Sequence, residues 1–279
     1  MDELRRIRVG VVQMACVLGD KKANLEKADR FLSELEDRAE ITCFPELFTT
    51  GYHLELLGDR FPELADPVPG PTTDALGQMA RSHGQSIVGG VLERGADGNV
   101  YDAAVHIDAS GMLAGVYRKS HLYPAERGHF APGDRLGVWE LNGVTIGTAI
   151  CFEHAFPHIF TVLALQGAKV IFIPSAVPTG FEYLLDLRTR ARAQDNQIFT
   201  VAVNRVGVEG EVTYCGRSKI VNPRGQVLEE APADEEATLA AELDLGLIAK
   251  ERAQEPTLIN QRPELYRKLL QAPEVSGDE

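Results

Sequence analysis

Three residues, Glu46, Lys119 and Cys151, stand at the ends of apolar, β-branched stretches and carry side chains that could together hydrolyse an amide. A thiol can attack a carbonyl carbon, a carboxylate can accept the thiol proton, and an ammonium group can stabilise the developing oxyanion. Free cysteines are more often small buried residues, and surface lysines and loop glutamates are common. The position of Cys151 between a strand and a helix, where backbone N–H groups can stabilise a thiolate, makes it our candidate nucleophile.

The other three cysteines, Cys16, Cys43 and Cys215, lie far apart in the sequence. The apolar run that follows the N-terminal charges is short and is interrupted by Gly10 and Gln13, so it lacks the features of a signal peptide. Scattered cysteines without a secretory signal are typical of reduced thiols in the cytoplasm. We therefore expect a cytoplasmic protein in which these three residues are buried and unreactive.

Seven histidines offer two further interpretations of Cys151. One is a nucleophile–base pair of the Cys–His type, and the other is zinc bound by Cys151, His154 and His158. Pro157 opposes a regular helix through His154, and no fourth ligand is evident. We favour packing and hydrogen bonding as the roles of these histidines and expect no metal. The sequence also contains no Gly-rich phosphate loop, so we expect no cofactor.

Composition excludes several classes of partner. The 279 residues carry a net charge of −13, and no segment gathers lysine and arginine. Nucleic acids and anionic membrane surfaces attract concentrated positive charge, so neither is an expected partner. No apolar stretch approaches the length of a membrane span. The remaining expectation is a small-molecule substrate.

The elements that must position these residues alternate between strands and helices. Near-continuous apolar runs predict strands buried on both faces at Ile7–Val12, Ile41–Phe44, Ile87–Val91, Val144–Cys151, Val170–Pro174 and Phe199–Val203. Helical patterns follow an N-cap at Asp20, run from Thr72 or Thr73 to Gly84, and occupy Pro157–Gly167 and Phe181–Asn196. Hairpins are predicted within Val100–Arg118 and Tyr214–Leu228. The alternation predicts one α/β domain over residues 1–279 with a mixed sheet, whose rim collects the polar strand ends.

Three segments resemble the signature blocks of the nitrilase superfamily of carbon–nitrogen hydrolases, in the order in which that family carries its Glu, Lys and Cys. They are FPELFTTGY (44–52), YRKSHL (117–122) and GTAICFEHAFP (147–157). Further matches are Gly89–Gly90, PAERGHFAPGD (124–134), RTRARAQDNQ (188–197) and YCGRSKIVNPRGQVL (214–228). The resemblance extends from Val9 to Tyr266. His158 departs from it, because many members have Glu at that position.

The resemblance implies a nitrilase-like four-layer α-β-β-α sandwich and a role for each matching residue. Cys151 would attack the carbonyl carbon and Glu46 would act as the general base. Lys119 and the backbone N–H of Phe152 would hold the oxyanion. Glu126 would fix Lys119 and help to bind the substrate, and Tyr52 would also contact the substrate. Family members commonly dimerise through the helices after the cysteine strand and at 181–196, so a homodimer or larger homo-oligomer with a C-terminal arm at 255–279 is expected.

The substrate implied by the resemblance is a small linear amide, aliphatic or ω-amino, which is cleaved to an acid and ammonia through a Cys151 thioester. The motif blocks are similar to those of bacterial amidases that act on short linear amides. An N-carbamoyl amine or amino acid is the second alternative, and a nitrile is the third. A catalytically inactive scaffold is a further alternative, which the presence of Glu46, Lys119 and Cys151 disfavours.

Overall fold

The computed structural model describes residues 5–266, and its strands form two mixed sheets. The strands in this range are β1 (Arg6–Gln13), β2 (Ile41–Cys43), β3 (Ser86–Arg94), β4 (Val100–Ile107), β5 (Leu113–Arg118), β6 (Val138–Leu141), β7 (Val144–Thr148), β8 (Val170–Pro174), β9 (Phe199–Val203), β10 (Val208–Glu209), β11 (Val212–Thr213), β12 (Lys219–Val221), β13 (Val227–Glu230) and β14 (Ala237–Asp244). One sheet has the order β14-β1-β2-β3-β4-β5 and the other β13-β12-β9-β8-β7-β6, while β10 and β11 form a separate ribbon. β1, β2 and β3 run parallel, as do β7, β8 and β9, and the remaining neighbours are antiparallel.

Helices cover the outer face of each sheet. Those in the described range are α1 (Lys21–Glu34), α2 (Leu54–Leu57), α3 (Phe61–Leu64), α4 (Pro71–His83), α5 (Pro157–Leu165), α6 (Glu182–Asn196), α7 (Gly246–Gln254) and α8 (Pro263–Tyr266), with 3₁₀ turns at Gly58–Arg60, Pro124–Gly128 and Cys151–Ala155. Within the same range, no helix is both long enough and apolar enough to cross a membrane.

The layers follow from which residues are buried together. Val9 of β1 and Phe172 of β8 belong to one apolar cluster between the two sheets. On the other face of the first sheet, α1 and α4 pack through Leu32 and Leu76. On the other face of the second sheet, α5 contributes Phe160 to a cluster that also contains residues of α6. Side chains of a strand alternate between the two faces, so each sheet contributes to two clusters. This arrangement confirms the predicted α-β-β-α sandwich.

Most predicted elements are present with small changes in their bounds. β8 and β9 have the predicted limits, and α4 ends before Gly84, which adopts the left-handed conformation expected of a C-cap. Asp20 caps α1 through a hydrogen bond from the Ala23 N–H. The predicted strand Val144–Cys151 is too long, because β7 ends at Thr148 and a 3₁₀ turn begins at Cys151.

The C-terminal arm is described only as far as residue 266. After α7, Leu258 packs into the cluster beneath α5 and α6, and the Thr257 hydroxyl donates to Gln197 at 3.2 Å. From Pro256 and Pro263 the sequence predicts an extended arm before a short helix, and α8 is a short helix at this place. The sequence also predicts a disordered end at Ser276–Glu279, but residues 267–279 lie outside the described residues.

Candidate active site

Glu46 lies in a turn directly after β2. This turn packs closely against Gly90 of the neighbouring strand β3, where the absence of a side chain leaves room for it. The Gly90 N–H donates to the carbonyl of Pro45 at 3.2 Å, and the Phe48 N–H donates to the carbonyl of Gly90 at 3.1 Å. A Cβ atom on Gly90 would stand 2.6 Å from the Glu46 Cα, so any other residue would displace this turn. The predicted match at Gly89–Gly90 therefore has a physical reason. The close packing on Gly90 positions the Glu46 carboxylate, which is completely buried.

Lys119 follows β5 and joins two glutamates. Its backbone N–H donates to the carbonyl of Asp102 at 2.9 Å, which continues the β4–β5 pairing by one residue. Its ammonium group donates to Oε1 of Glu46 at 2.6 Å and to Oε1 of Glu126 at 2.7 Å. Burial alone would lower the pKa of Lys119, but the surrounding carboxylates raise it well above its usual value. Lys119 is thus a fixed, charged group with no exposed surface.

Asp102 of β4 is a third buried carboxyl group in this cluster, and no sequence motif pointed to it. Its Oδ2 lies 3.2 Å from the Lys119 Nζ, yet neither of its oxygens accepts a hydrogen bond. Oε2 of Glu46 is also without a hydrogen-bond partner. Burial raises the pKa of Asp102 well above its usual value, and the Glu46 and Glu126 carboxylates raise it further against the opposing effect of Lys119.

The charge of this cluster balances best when Asp102 is neutral. Three ionised carboxylates would face one ammonium group in a dry environment, which is unfavourable unless one of them binds a proton. A protonated Asp102 carboxyl group can donate a hydrogen bond to Oε2 of Glu46. The carboxyl oxygens of Glu46, Asp102 and Glu126 converge as metal ligands would. However, the Lys119 ammonium lies within 3.2 Å of an oxygen of each and already occupies the position of a cation.

Cys151 occupies the first position of its 3₁₀ turn with a left-handed backbone, at φ 46°. A non-glycine residue in this conformation is strained, and such residues concentrate at functional sites. The turn points the side chain toward a cavity and leaves the Phe152 N–H in the first turn of a helix, where intrahelical partners are missing. Burial raises the pKa of the thiol well above its usual value, Glu46 raises it further, and Lys119 opposes both. The resting group is therefore a thiol that needs a base.

Glu153 connects the cysteine turn to the lysine segment, a role that the sequence did not reveal. Its Oε2 accepts the Ile150 N–H at 2.7 Å. Its Oε1 accepts the Tyr117 hydroxyl at 2.6 Å, and the Ser120 N–H at 2.8 Å and hydroxyl at 2.6 Å. Burial would raise the pKa of Glu153, but hydrogen bonding with His121, Ser120, Tyr117 and the Ile150 N–H lowers it below the usual value. One carboxylate thus fixes the chain on both sides of the nucleophile relative to Lys119.

Tyr52 and Glu126 form the other side of the cluster. The Tyr52 hydroxyl donates to Oε1 of Glu126 at 2.6 Å, and Oε2 of Glu126 accepts the Tyr123 N–H at 2.7 Å. Burial raises the pKa of Tyr52 well above its usual value, so its hydroxyl stays protonated and donates. Since Lys119 donates to the same Glu126 oxygen, the three side chains hold one another in place.

A cavity of about 380 Å³ opens onto Cys151. Its walls are mostly apolar and aromatic, and they carry a few polar side chains. The lining residues are Tyr52, His53, Leu54, Glu55, Tyr123, Ala125, Cys151, Phe152, His154, Ala176, Val177, Pro178, Phe181, Leu184, Arg188, Glu211, Val212 and Tyr214. This size and lining are typical of a small-molecule site. A larger depression of about 580 Å³ between α1 and α4 contains none of the predicted site residues.

The histidines do not assemble the alternative sites. His154 is buried and lines the cavity, whereas His158 is exposed on α5. Among residues 5–266, no group of three donor atoms close enough to hold a metal contains Cys151 with both histidines. His121 packs against Phe156 and approaches the Ser120 hydroxyl. The zinc and Cys–His interpretations therefore receive no support from the described geometry.

Comparisons with known proteins agree with this arrangement. The family model "Carbon-nitrogen hydrolase" matches residues 8–253. A nitrilase of Pyrococcus abyssi is 37% identical, covering 88% of this chain and 93% of its own, and an N-carbamoylputrescine amidase of Solanum lycopersicum is 33% identical, covering 95% of each. A carbon–nitrogen hydrolase crystal structure from Helicobacter pylori superimposes with a TM-score of 0.89 at 26% identity, covering 95% of this chain and 99% of that one. The chain therefore belongs to the carbon–nitrogen hydrolase family, and it is an enzyme of the amidohydrolase type.

Proposed function

We propose that this enzyme hydrolyses a small linear amide to a carboxylic acid and ammonia through a thioester on Cys151. The observation that carries the proposal is the strained Cys151 at the cavity, beside a buried cluster in which Lys119 donates to both Glu46 and Glu126. This arrangement supplies a nucleophile, a base and a fixed positive charge next to an otherwise apolar cavity.

In the first half of the proposed reaction, the Cys151 sulfur attacks the amide carbon while Glu46 accepts the thiol proton. The raised pKa of the thiol makes this base necessary. The negative charge that develops on the carbonyl oxygen is stabilised by the Lys119 ammonium and the Phe152 N–H. Glu46 then gives the proton to the amide nitrogen, the C–N bond breaks, and ammonia leaves.

In the second half, water takes the place of ammonia. Glu46 accepts a proton from the water as its oxygen attacks the thioester carbon, and the same donors stabilise the second oxyanion. The C–S bond then breaks, the proton returns to the sulfur, and the acid leaves. Glu126 keeps Lys119 oriented throughout and, with Tyr52, binds the substrate near its nitrogen.

Amides rank ahead of two other substrate classes. The relative from Solanum lycopersicum is named for an N-carbamoyl substrate and the one from Pyrococcus abyssi is named a nitrilase, so the same fold accommodates all three chemistries. The resemblance of the motif blocks to amidases of short linear amides supports the first class. The cavity, which is small and mostly apolar, agrees with a short acyl chain.

A panel of short amides, nitriles and ureido acids tests the proposal, with ammonia release as the readout. We expect the amides to be the best substrates and Cys151→Ala to lose turnover while keeping its melting temperature. Carbon dioxide released together with ammonia would favour the N-carbamoyl alternative. Turnover by Cys151→Ala at the wild-type rate would refute the mechanism.

We further propose that the enzyme acts as a homodimer in the cytoplasm, where reducing conditions keep Cys151 a free thiol. The outer surface of α5 and α6 carries exposed apolar side chains at Leu165, Tyr183 and Leu187, which are 61%, 63% and 64% exposed. Apolar residues concentrated on one surface are typical of protein interfaces. These helices are the ones through which the resemblance implies dimer formation.

A further inference from the structure

One buried carboxylate, that of Glu209 in β10, holds the backbone of the segment that follows Glu46. Its Oε2 accepts the Tyr52 N–H at 3.0 Å and the His53 N–H at 3.1 Å. Glu209 is only 4% exposed, so these charge-assisted hydrogen bonds are shielded from water. The Tyr52 hydroxyl donates to Glu126. Glu209 therefore fixes the backbone from which a side chain of the buried cluster extends.

The segment that receives this support has no regular structure of its own. Residues 51–53 lie in neither a helix nor a strand, and Gly51 adopts a left-handed conformation with φ 84°. A Cβ atom on Gly51 would stand 2.8 Å from Oε1 of Glu209, so the glycine allows the carboxylate to approach the chain. Buried N–H groups of irregular backbone need acceptors from elsewhere in the protein. For Tyr52 the acceptor comes from a residue 157 positions later in the sequence.

Arg205 in turn fixes the Glu209 carboxylate. The Arg205 side chain has no exposed surface, and its Nη2 donates to Oε1 of Glu209 at 2.5 Å. The Tyr214 hydroxyl donates to Oε2 of Glu209 at 3.0 Å, and the guanidinium carbon of Arg205 lies 4.8 Å from the centre of the Tyr214 ring. Nε and Nη1 of Arg205 make no hydrogen bond to any residue of the range 5–266. A buried ion pair with two unsatisfied donors is a poor source of stability, which favours a role in orientation.

The contact between Glu209 and the reacting groups is indirect. Glu209 does not line the cavity, whereas Tyr52 does. The Tyr52 hydroxyl and the Lys119 ammonium donate to the same oxygen of Glu126, at 2.6 and 2.7 Å. A shift of the Tyr52 backbone would therefore move a donor that shares its acceptor with the proposed oxyanion-binding group. Misplacement of such groups by about 1 Å is enough to slow an enzyme substantially.

We propose that Glu209, held by Arg205, is a positioning residue for Tyr52. It aims the Tyr52 hydroxyl at Glu126 and thereby keeps Lys119 aligned with the developing oxyanion. This proposal rests on the proposed amidase function and deepens it. The Lys119 charge acts in the transition state, so loss of the alignment lowers kcat more than it raises KM. The part of Glu209 that performs this role is its acceptor oxygen rather than its negative charge.

Two neutral replacements of the ion pair separate the acceptor oxygen from the charge. Both carry Arg205→Met, and one adds Glu209→Gln whereas the other adds Glu209→Met. Glutamine and methionine have nearly the length of glutamate, but only glutamine offers an oxygen to the Tyr52 N–H. With a short amide and ammonia release as the readout, the variant with Glu209→Gln should keep kcat within about 3-fold of wild type. The variant with Glu209→Met should have a kcat about 10-fold lower still, with KM changed by about 2-fold or less.

A second comparison asks whether the effect passes through Tyr52. When both double variants also carry Tyr52→Phe, the difference in kcat between them should shrink to about 2-fold or less, because the hydroxyl that Glu209 aims is absent. A purely structural contact would give the same difference with and without Tyr52→Phe. That result, or equal kcat values for the two double variants, would overturn the positioning role while leaving the amidase function intact. Absence of ammonia release by the wild-type enzyme from every short amide would overturn both.

Two further variants keep the test independent of folding. Glu209→Asp retains the charge but is one methylene shorter, and it replaces the double variant with Glu209→Met if that protein shows no cooperative thermal unfolding. It should lower kcat with Tyr52 present and not in Tyr52→Phe, and an equal effect in both would overturn the proposal. Asp66→Asn is the matched control, because the Asp66 carboxylate accepts from Lys21 at 2.7 Å and does not line the cavity. It should leave kcat unchanged with and without Tyr52→Phe.

Discussion

Replacing Asp102 by Asn tests whether the buried cluster holds an extra proton. In the unfolded chain Asp102 loses its proton near its ordinary pKa of 3.8, whereas burial raises its pKa well above that value in the folded protein. Above that pH the folded state binds one proton more than the unfolded state, so this group lowers the free energy of unfolding as pH rises. The slope is about 1.4 kcal/mol per pH unit for as long as the folded protein keeps the proton.

Asn has nearly the same shape as Asp and carries no titrating proton, and its amide can donate to Oε2 of Glu46. The stability of Asp102→Asn relative to wild type should therefore increase by about 2.7 kcal/mol between pH 5 and pH 7. Urea unfolding of both proteins at pH 5, 6 and 7 measures the difference, in which the titrations of other groups cancel. A useful control is Asp108→Asn. Burial raises the pKa of Asp108, but hydrogen bonds from Ser110 and neighbouring groups lower it below the usual value. The contribution of Asp108 to the free energy of unfolding is therefore already complete above pH 5.

The result that refutes this reasoning is a stability difference for Asp102→Asn that stays constant or shrinks as pH rises from 5 to 7. Either outcome would mean that Asp102 is ionised in the folded protein. The Lys119 ammonium would then neutralise only one of three carboxylates, and the charge assigned to Glu46 would have to be revised.

Three further predictions concern other residues. Glu153→Gln should lower the free energy of unfolding by about 2–4 kcal/mol, because an amide cannot accept hydrogen bonds from all the donors that face this carboxylate. The value of kcat/KM should fall as well. Equal melting temperatures for the variant and the wild type would contradict this prediction. Tyr52→Phe should cost about 1 kcal/mol of stability through the lost hydrogen bond to Glu126 and lower kcat/KM about 10-fold, whereas an unchanged kcat/KM would remove Tyr52 from the site. Leu187→Glu should convert the proposed dimer into a monomer, as measured by light scattering, and a monomeric wild type would be the contrary result.

The sequence predicts the fold well where local patterns and long-range packing agree. β8 and β9 are continuously apolar and buried on both faces, so their limits match the prediction. The N-cap at Asp20 and the C-cap at Gly84 follow from local hydrogen bonding and backbone freedom, which short sequences encode. β14 was not predicted, because Ala, Leu and Glu are typical of helices and only its pairing with β1 makes it a strand.

The sequence identified the site residues that follow strands, but it did not identify the site residue that lies within a strand. Glu46 and Lys119 follow strands and belong to recognisable blocks, and the structure joins them through one hydrogen bond. Asp102 lies within a strand, where an isolated acidic residue is usually read as facing solvent, and only the pairing of β4 with β5 brings it to Lys119.

The most direct test of the central claim is to identify the atom that carries the acyl group. The wild-type enzyme, quenched with acid during turnover of a short amide, should gain the mass of one acyl group, and peptide mapping should locate this group on Cys151. The Cys151→Ala variant should gain none. An acyl group on Cys16, Cys43 or Cys215, or turnover that continues in Cys151→Ala, would contradict the account.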